Sequence, residues 1–237
     1  MHKKYLFLLI IVVLGLVMSS CNKVDFNSGI TNSAIQQLET KYNCTFEATH
    51  VGNRLNYSTG TIFLIDDEGV MFSATVDSKT KEVEDDYIRR IISEKYESII
   101  KYELEKNEID AGVYAFISCD DCSLEANRKI SLDSFKEEYK LNSVIVYLCL
   151  NNNASDYSKL LDTFEKLNRE LNVKISVFAY SLGETQFQEC KLNISKTLDI
   201  NDTWFDEYGP ENTFVFSVEN GLLSPDRNSI VKAVEEN

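Results

Sequence analysis

Two cysteines separated by two residues offer the most reactive chemistry in this sequence. They are Cys119 and Cys122, in the tetrapeptide Cys-Asp-Asp-Cys. Thiols at this spacing can form a disulfide with each other, and a pair that is alternately oxidised and reduced can exchange electrons with other thiols. Residues 111–118, just before the pair, form a nearly continuous apolar run that predicts a buried strand. The sequence therefore predicts a redox centre, a local structural disulfide or two reduced thiols at this position.

Three features of the surrounding sequence argue against a redox centre. A reactive thiolate needs a lowered pKa, whereas Asp120 and Asp121 lie between the sulfurs, and negative charge favours the protonated thiol. The pair resembles the redox motif of thioredoxin-like proteins, which place a cis-proline against it, but Pro210 and Pro225 lie far along the chain. Helical periodicity after the motif starts only near Leu132. We therefore favour the structural disulfide or the reduced thiols and keep a thiol-disulfide redox protein as an alternative.

The other candidate catalytic and metal-binding residues are isolated from one another. His50 shares a predicted strand face with Cys44, but six residues of strand separate the two by about 20 Å. A zinc site needs about four ligands, and the sequence has no second CxxC and no paired histidines. Gly-rich phosphate loops and the common hydrolase motifs are also absent from the sequence. These patterns favour a protein that is not an enzyme and that uses no cofactor and no metal ion.

Residues 201–212 gather aromatic and acidic side chains in one predicted loop. They include the only tryptophan, Trp204, together with Phe205 and Tyr208. Aromatic rings beside carboxylates could stack on a sugar or hold a small molecule, which makes these three residues candidate ligand contacts. We favour the alternative, in which the loop folds its aromatic residues onto the core.

The first 21 residues have the three-part layout of a secretion signal. Lys3 and Lys4 provide a positive start, and residues 6–17 form an uncharged apolar run. The run is about twelve residues long, whereas a membrane-spanning helix needs roughly twenty. The sequence therefore predicts a segment that targets the chain for export and does not span the bilayer.

The end of this signal, Met18-Ser19-Ser20-Cys21, resembles the lipobox of bacterial membrane lipoproteins. The resemblance implies that residues 1–20 are removed as a signal peptide and that the Cys21 sulfur receives a diacylglycerol. Two or more acyl chains, such as palmitate, hold a protein stably in a bilayer, because each buried methylene contributes about 0.8 kcal/mol. Residues 21–30 would then form a short lipidated tether that keeps the folded body near the membrane.

The composition predicts a packed globular body with an acidic surface. The chain is 43% apolar and 11% aromatic, with 2 prolines and 9 glycines. Its formal net charge is −14, and removal of residues 1–20 leaves 22 basic and 38 acidic residues, a charge of −16. Such a surface repels phosphates, so we expect no nucleic-acid partner. We also expect contact with the membrane through the lipid anchor only.

The hydrophobic periodicity predicts an α+β fold built from two segments. Residues 31–106 are predicted as an α-β-β-β-α segment, and residues 107–237 as an α/β segment with a mixed, partly parallel sheet. The two segments could share one core or form two. The predicted strands are 44–51, 60–65, 70–76, 111–118, 143–150, 173–180, 186–194 and 213–218, and the longer predicted helices are 31–42, 85–106 and 156–171.

Together these patterns predict a lipoprotein at the cell membrane, facing outside the cytoplasm, that acts through binding or interaction. The sequence leaves the protein or small-molecule partner unspecified. The alternatives are a redox protein using Cys119 and Cys122, and a small-molecule or glycan receptor using Trp204 and Tyr208.

Overall fold

The computed structural model describes residues 28–53, 59–119, 127–152, 156–198 and 200–235, which form an α+β fold with two sheets. The predicted signal peptide and Cys21 lie outside these residues. Within the described chain, no helix is both long enough and apolar enough to span a membrane. The helices are α1 Ser28–Tyr42, α2 Tyr87–Lys106, α3 Leu132–Tyr139, α4 Tyr157–Leu171, α5 Glu184–Ile194 and α6 Arg227–Glu235, with a 3-10 helix at Asp202–Tyr208. The strands are β1 Phe46–Asn53, β2 Thr59–Asp66, β3 Met71–Asp77, β4 Val83–Asp85, β5 Ala111–Cys119, β6 Leu141–Asn151, β7 Lys174–Leu182, β8 Asn212–Glu219 and β9 Leu222–Ser224.

The first sheet is antiparallel, in the order β1-β2-β3-β4. Its inner face carries side chains that alternate along β2 and β3, and Ile62, Leu64 and Phe72 are fully buried there. Helices α1 and α2 contribute to the same core, where the Tyr87 ring packs against Phe72. Strand β4 was not predicted, because three residues are too few to show a period. This strand includes Asp85, the predicted first residue of the following helix, and α2 therefore begins two residues later, at Tyr87.

A β-bulge in β1 corrects the predicted face of His50. The pairing with β2 shifts between Ala48 and His50, so one extra residue is inserted there. Ala48 and Val51 consequently contact the core, whereas His50 is exposed and its ring stacks on Phe63 at 5.9 Å. The prediction that His50 shares a face with Cys44 was therefore wrong, because strict alternation does not survive a bulge.

The second sheet is mixed, as predicted, in the order β5-β6-β7-β8-β9. Strands β6 and β7 are parallel and are joined through α4, and the other neighbours in this sheet are antiparallel. One contiguous apolar cluster includes buried residues of both sheets, from Ala34 in α1 to Ile230 in α6. A second cluster lies on the outer face of this sheet, under α5 and the 3-10 helix.

Residues 186–194, which we predicted to form a strand, belong to helix α5. The buried residues Phe187, Cys190 and Ile194 are spaced three and four positions apart, which is the period of a helix. Leu192, which suggested strand alternation, is one of the most exposed large apolar residues among the described positions. A short apolar pattern of this kind does not by itself separate a bent strand from a helix.

Helix α2 connects the two sheets through hydrogen bonds to the backbone of β5. Strand β5 is an edge of its sheet and would otherwise present unpaired backbone groups. The Glu97 carboxylate accepts from the Ala115 N–H at 3.2 Å, and the Ser93 hydroxyl accepts from the Ile117 N–H at 3.2 Å. Side chains of α2 thereby take the place of a further strand along this edge.

The buried side chain of Asn168 joins α4 to the end of the second sheet. Its Nδ2 donates to the carbonyls of Val173 and Val218, at 2.7 and 3.1 Å. Its Oδ1 accepts from the N–H of Gly221, in the turn between β8 and β9, at 2.6 Å. Three hydrogen bonds to the backbone from one buried amide fix the position of this turn against the helix.

Candidate functional site

A cleft of about 460 Å³ lies where the outer faces of the two sheets meet along α2. The outer side chains of β2 and β3 form one wall, the start of α2 forms the second side, and β5 supplies the third. The residues that line the cleft from these three sides are Thr61, Phe63, Ser73, Thr75, Asp86, Arg89, Arg90, Ser93, Tyr114 and Phe116. Gly52 and Leu198 complete the lining.

The wall from the first sheet follows from strand alternation. The residues between the buried positions of β2 and β3 point away from the core, and all are partly exposed. The register places Thr61 opposite Thr75 and Phe63 opposite Ser73, so that each pair lies side by side on this face. The wall thus combines two neighbouring threonine hydroxyls with one aromatic ring.

Asp86, which immediately precedes α2, holds the start of the helix against β3. Its carboxylate accepts from the backbone N–H of Ser73 at 2.7 Å and from the Ser73 hydroxyl at 2.9 Å. Burial raises the pKa of Asp86, and these hydrogen bonds and the nearby charge of Arg89 act against that rise. Each carboxylate oxygen therefore accepts one hydrogen bond from Ser73.

The two arginines of the cleft have different surroundings. The Arg90 guanidinium lies 4.9 Å from the Tyr114 ring centre, donates to the carbonyl of Ala115 at 3.3 Å and pairs with Glu94 at 3.3 Å. It also lies 3.7 Å from Glu97, yet its buried Nε–H has no hydrogen-bond partner in the described chain. Arg89 is exposed, and no carboxylate of the described residues forms an ion pair with it.

The wall from the second sheet is aromatic. Tyr114 donates its hydroxyl to the carbonyl of Leu198 at 2.7 Å, which fixes its ring beside the cleft. Phe116 stacks on Tyr147 at 6.0 Å, and Tyr147 stacks on Phe178 at 5.1 Å, so the aromatic surface continues across the sheet beyond the cleft. Burial, and then the hydrogen bond to Asp202, raise the pKa of Tyr147 to about 12, so its phenol stays neutral at physiological pH.

The predicted aromatic ligand contacts lie together on the 3-10 helix, but none of them lines the cleft. Phe205 is fully buried and stacks on Tyr180 at 3.9 Å with the rings nearly parallel. Tyr208 is also buried and accepts a hydrogen bond from Asn193 at 3.2 Å. Trp204 is partly exposed and packs edge-on against Phe205. A ligand role for this cluster stays a prediction.

The predicted cysteine pair is described only in part. Cys119, the last residue of β5, is disulfide-bonded, whereas Cys122 lies outside the described residues. The assignment of Cys119 and Cys122 as a redox pair or a structural pair therefore stays a prediction.

Three cysteines in the described chain are free thiols: Cys44, Cys149 and Cys190. Cys149 and Cys190 are fully buried, and a hydrogen bond between them together with burial raises the pKa of Cys190. Burial also raises the pKa of Cys44, whose sulfur lies 3.8 Å from the Tyr87 hydroxyl. Raised pKa values keep thiols protonated, and protonated thiols are poor nucleophiles. Among the described residues, no group of three or more His, Cys, Asp or Glu side chains could hold a metal ion.

No family model matches the chain, and no curated protein matches it. The structure is similar to the crystal structure of a DUF5037 family protein from Ruminococcus gnavus, with a TM-score of 0.68 and 14% sequence identity. The match covers 88% of this chain and 99% of that one. A likeness at this level of identity shows a common fold and assigns no residue roles to this chain.

Proposed function

We propose that this protein is a lipid-anchored, extracytoplasmic lipoprotein whose folded body binds a small molecule in the cleft. The observation that carries the binding function is the cleft itself, because its volume falls in the range of small-molecule sites, roughly 300–1,000 Å³. Three aromatic rings lie in its lining beside seven polar or charged residues, and polar groups fix the orientation of a ligand in such sites. The Asp86 carboxylate is held by Ser73 and fixes the start of α2, so we assign it a structural role in the cleft.

The anchor in this proposal rests on the sequence around Cys21. Replacing Cys21 with alanine removes the sulfur that would receive the lipid, so we expect the variant to lose metabolic labelling with a fatty acid and to accumulate as an unprocessed precursor. A Cys44→Ala variant is the matched control, because it removes a free thiol of the folded body and should keep full labelling. Equal labelling of the Cys21→Ala variant and the native chain would rule out the anchor.

Filling the cleft is expected to abolish ligand binding. Thr75 lies on the outer face of β3, so a Thr75→Trp side chain would extend into the cleft from a strand position that tolerates aromatic residues. Compounds from a small-molecule collection that bind the native protein should raise its Tm by about 5 °C or more when present at 100 times Kd. The same compounds should leave the Tm of the Thr75→Trp variant unchanged.

The control for this experiment is Thr213→Trp, which places the same residue at an exposed strand position outside the cleft. It should respond to the compounds as the native protein does. The cleft is not the binding site if the compounds stabilise the Thr75→Trp variant equally, or if none of them stabilises the native protein.

A further inference from the structure

We infer that the ligand of the cleft is a small organic monoanion that carries a flat ring, and that Arg89 binds its negative charge. This inference rests on the binding function proposed above and specifies the class of ligand for the same site. It depends on the charge of the lining, on the donors that the chain leaves unused and on the facing aromatic walls.

The cleft places two arginines in a strongly acidic chain. The chain carries a formal −14, yet the charged residues of the lining are two arginines and one aspartate. The Arg90 charge is balanced by Glu94 and Glu97, whereas Arg89 forms no ion pair in the described chain, although its charge acts on the nearby Asp86 carboxylate. An anion would therefore meet an available guanidinium here, and a guanidinium offers planar paired donors that fit a carboxylate.

Further donors line the same cleft as Arg89. The hydroxyls of Thr61 and Thr75 are neighbours across the β2–β3 pair, on the wall that faces the cleft. Both hydroxyls can donate to a ligand oxygen, as the Arg89 guanidinium can, so the cleft can bind a ligand that supplies oxygen acceptors.

The aromatic residues favour a flat ring in the same ligand. Phe63 belongs to the first sheet, and Tyr114 and Phe116 belong to the second, so aromatic side chains line the cleft from both sides. A ring that enters between them can stack against one face or contact an edge. Asp86 lies in the same lining, and its negative charge disfavours a ligand with two or more charges, such as phosphate. A ring-bearing carboxylate satisfies all of these conditions.

The inference can be tested with phenylacetate, its neutral analogue phenylacetamide and inorganic phosphate. Saturation-transfer NMR on the full mature protein in detergent micelles measures the binding of each probe, and empty micelles give the background. We expect phenylacetate to bind at least tenfold more tightly than phenylacetamide, and phosphate not to compete with it. The Arg89→Ala variant should bind phenylacetate at least tenfold more weakly than the native protein, and the Arg89→Lys variant should lose less affinity. Arg169→Ala, which removes an exposed arginine outside the cleft, should have no effect.

The possible results separate this inference from the proposed function. Equal affinity for phenylacetate and phenylacetamide, or unchanged affinity in Arg89→Ala, would overturn the anionic ligand. If a probe nevertheless bound the native protein and did not bind the Thr75→Trp variant, the cleft would still be a binding site. If no probe bound the native protein, the ring-bearing anion would be wrong, and the thermal experiment with Thr75→Trp would decide the binding function by itself.

Discussion

Replacing Asn168 with leucine is expected to lower the free energy of unfolding by about 3 kcal/mol. Leucine has a similar size but removes three hydrogen bonds, each worth about 1 kcal/mol net, from the backbone groups of Val173, Val218 and Gly221. For a chain of this length, such a loss corresponds to a fall in Tm of about 6 to 12 °C. Chemical denaturation, checked by calorimetry, measures both quantities.

An Asn168→Asp variant is the control that separates hydrogen bonding from packing. Aspartate keeps the acceptor for the Gly221 N–H but directs a carboxylate oxygen at two carbonyl oxygens. The charged form is disfavoured in the folded state, so we expect the folded-state pKa of this carboxyl to be raised above its unfolded value. Relative to the native protein, the variant should therefore be least stable at neutral pH and recover as the pH falls through the folded-state pKa. Equal stability of the native and Asn168→Leu proteins would contradict the role of this amide.

The Gly112→Ala substitution should destabilise the protein through steric overlap. Gly112 on β5 pairs with Cys149 on β6, and an added Cβ would lie 2.4 Å from the Cys149 sulfur. It would also lie 3.2 Å from the Lys191 Cα and from Ile194 Cγ2. Overpacking of a core costs roughly 1–3 kcal/mol, and the contact with the helix backbone places this site at the upper end of that range. The free energy of unfolding from denaturant titration checks the prediction.

Two further variants test the cause of this effect. Gly52→Ala also adds a methyl group to a strand glycine, but its nearest neighbour would be Phe63 at 3.7 Å, an ordinary contact, so little change is expected. In the Gly112→Ala background, Cys149→Ala removes the closest atom and should recover part of the lost stability, although the contacts with α5 remain. Additive losses in the double variant would show that the thiol is not the source of the strain.

The strands and long helices were predictable from sequence wherever one face of an element is buried and the other is not. Strand β3 and helix α4 show this, since Phe72 and Ala74, and likewise Leu160 and Phe164, are buried at the expected periods. The errors arose where the period was interrupted or brief. The bulge before His50 adds one residue that no local signal marks. In α5, the exposed Leu192 happened to fall in phase with Cys190.

The cleft was not predicted, because no single stretch of sequence encodes it. Its facing rings, Phe63 and Phe116, are 53 positions apart and lie on different sheets. The outer residues of β2 and β3 are ordinary polar positions of alternating strands when they are read locally. One local signal was available, since Arg89 and Arg90 form a basic pair at the start of a helix in a strongly acidic chain. That signal indicates a charge but not the aromatic walls opposite it.

The position of α2 has a consequence for how the molecule loses its structure. At one end of the helix, Asp86 bonds to the backbone of β3, and farther along, Ser93 and Glu97 bond to the backbone of β5. If the first sheet opened, α2 would lose its support, and the exposed edge of the second sheet would lose its hydrogen-bond partners at the same time. The two sheets therefore stabilise each other through α2. We expect the folded body to unfold in one cooperative transition and not as two modules in succession.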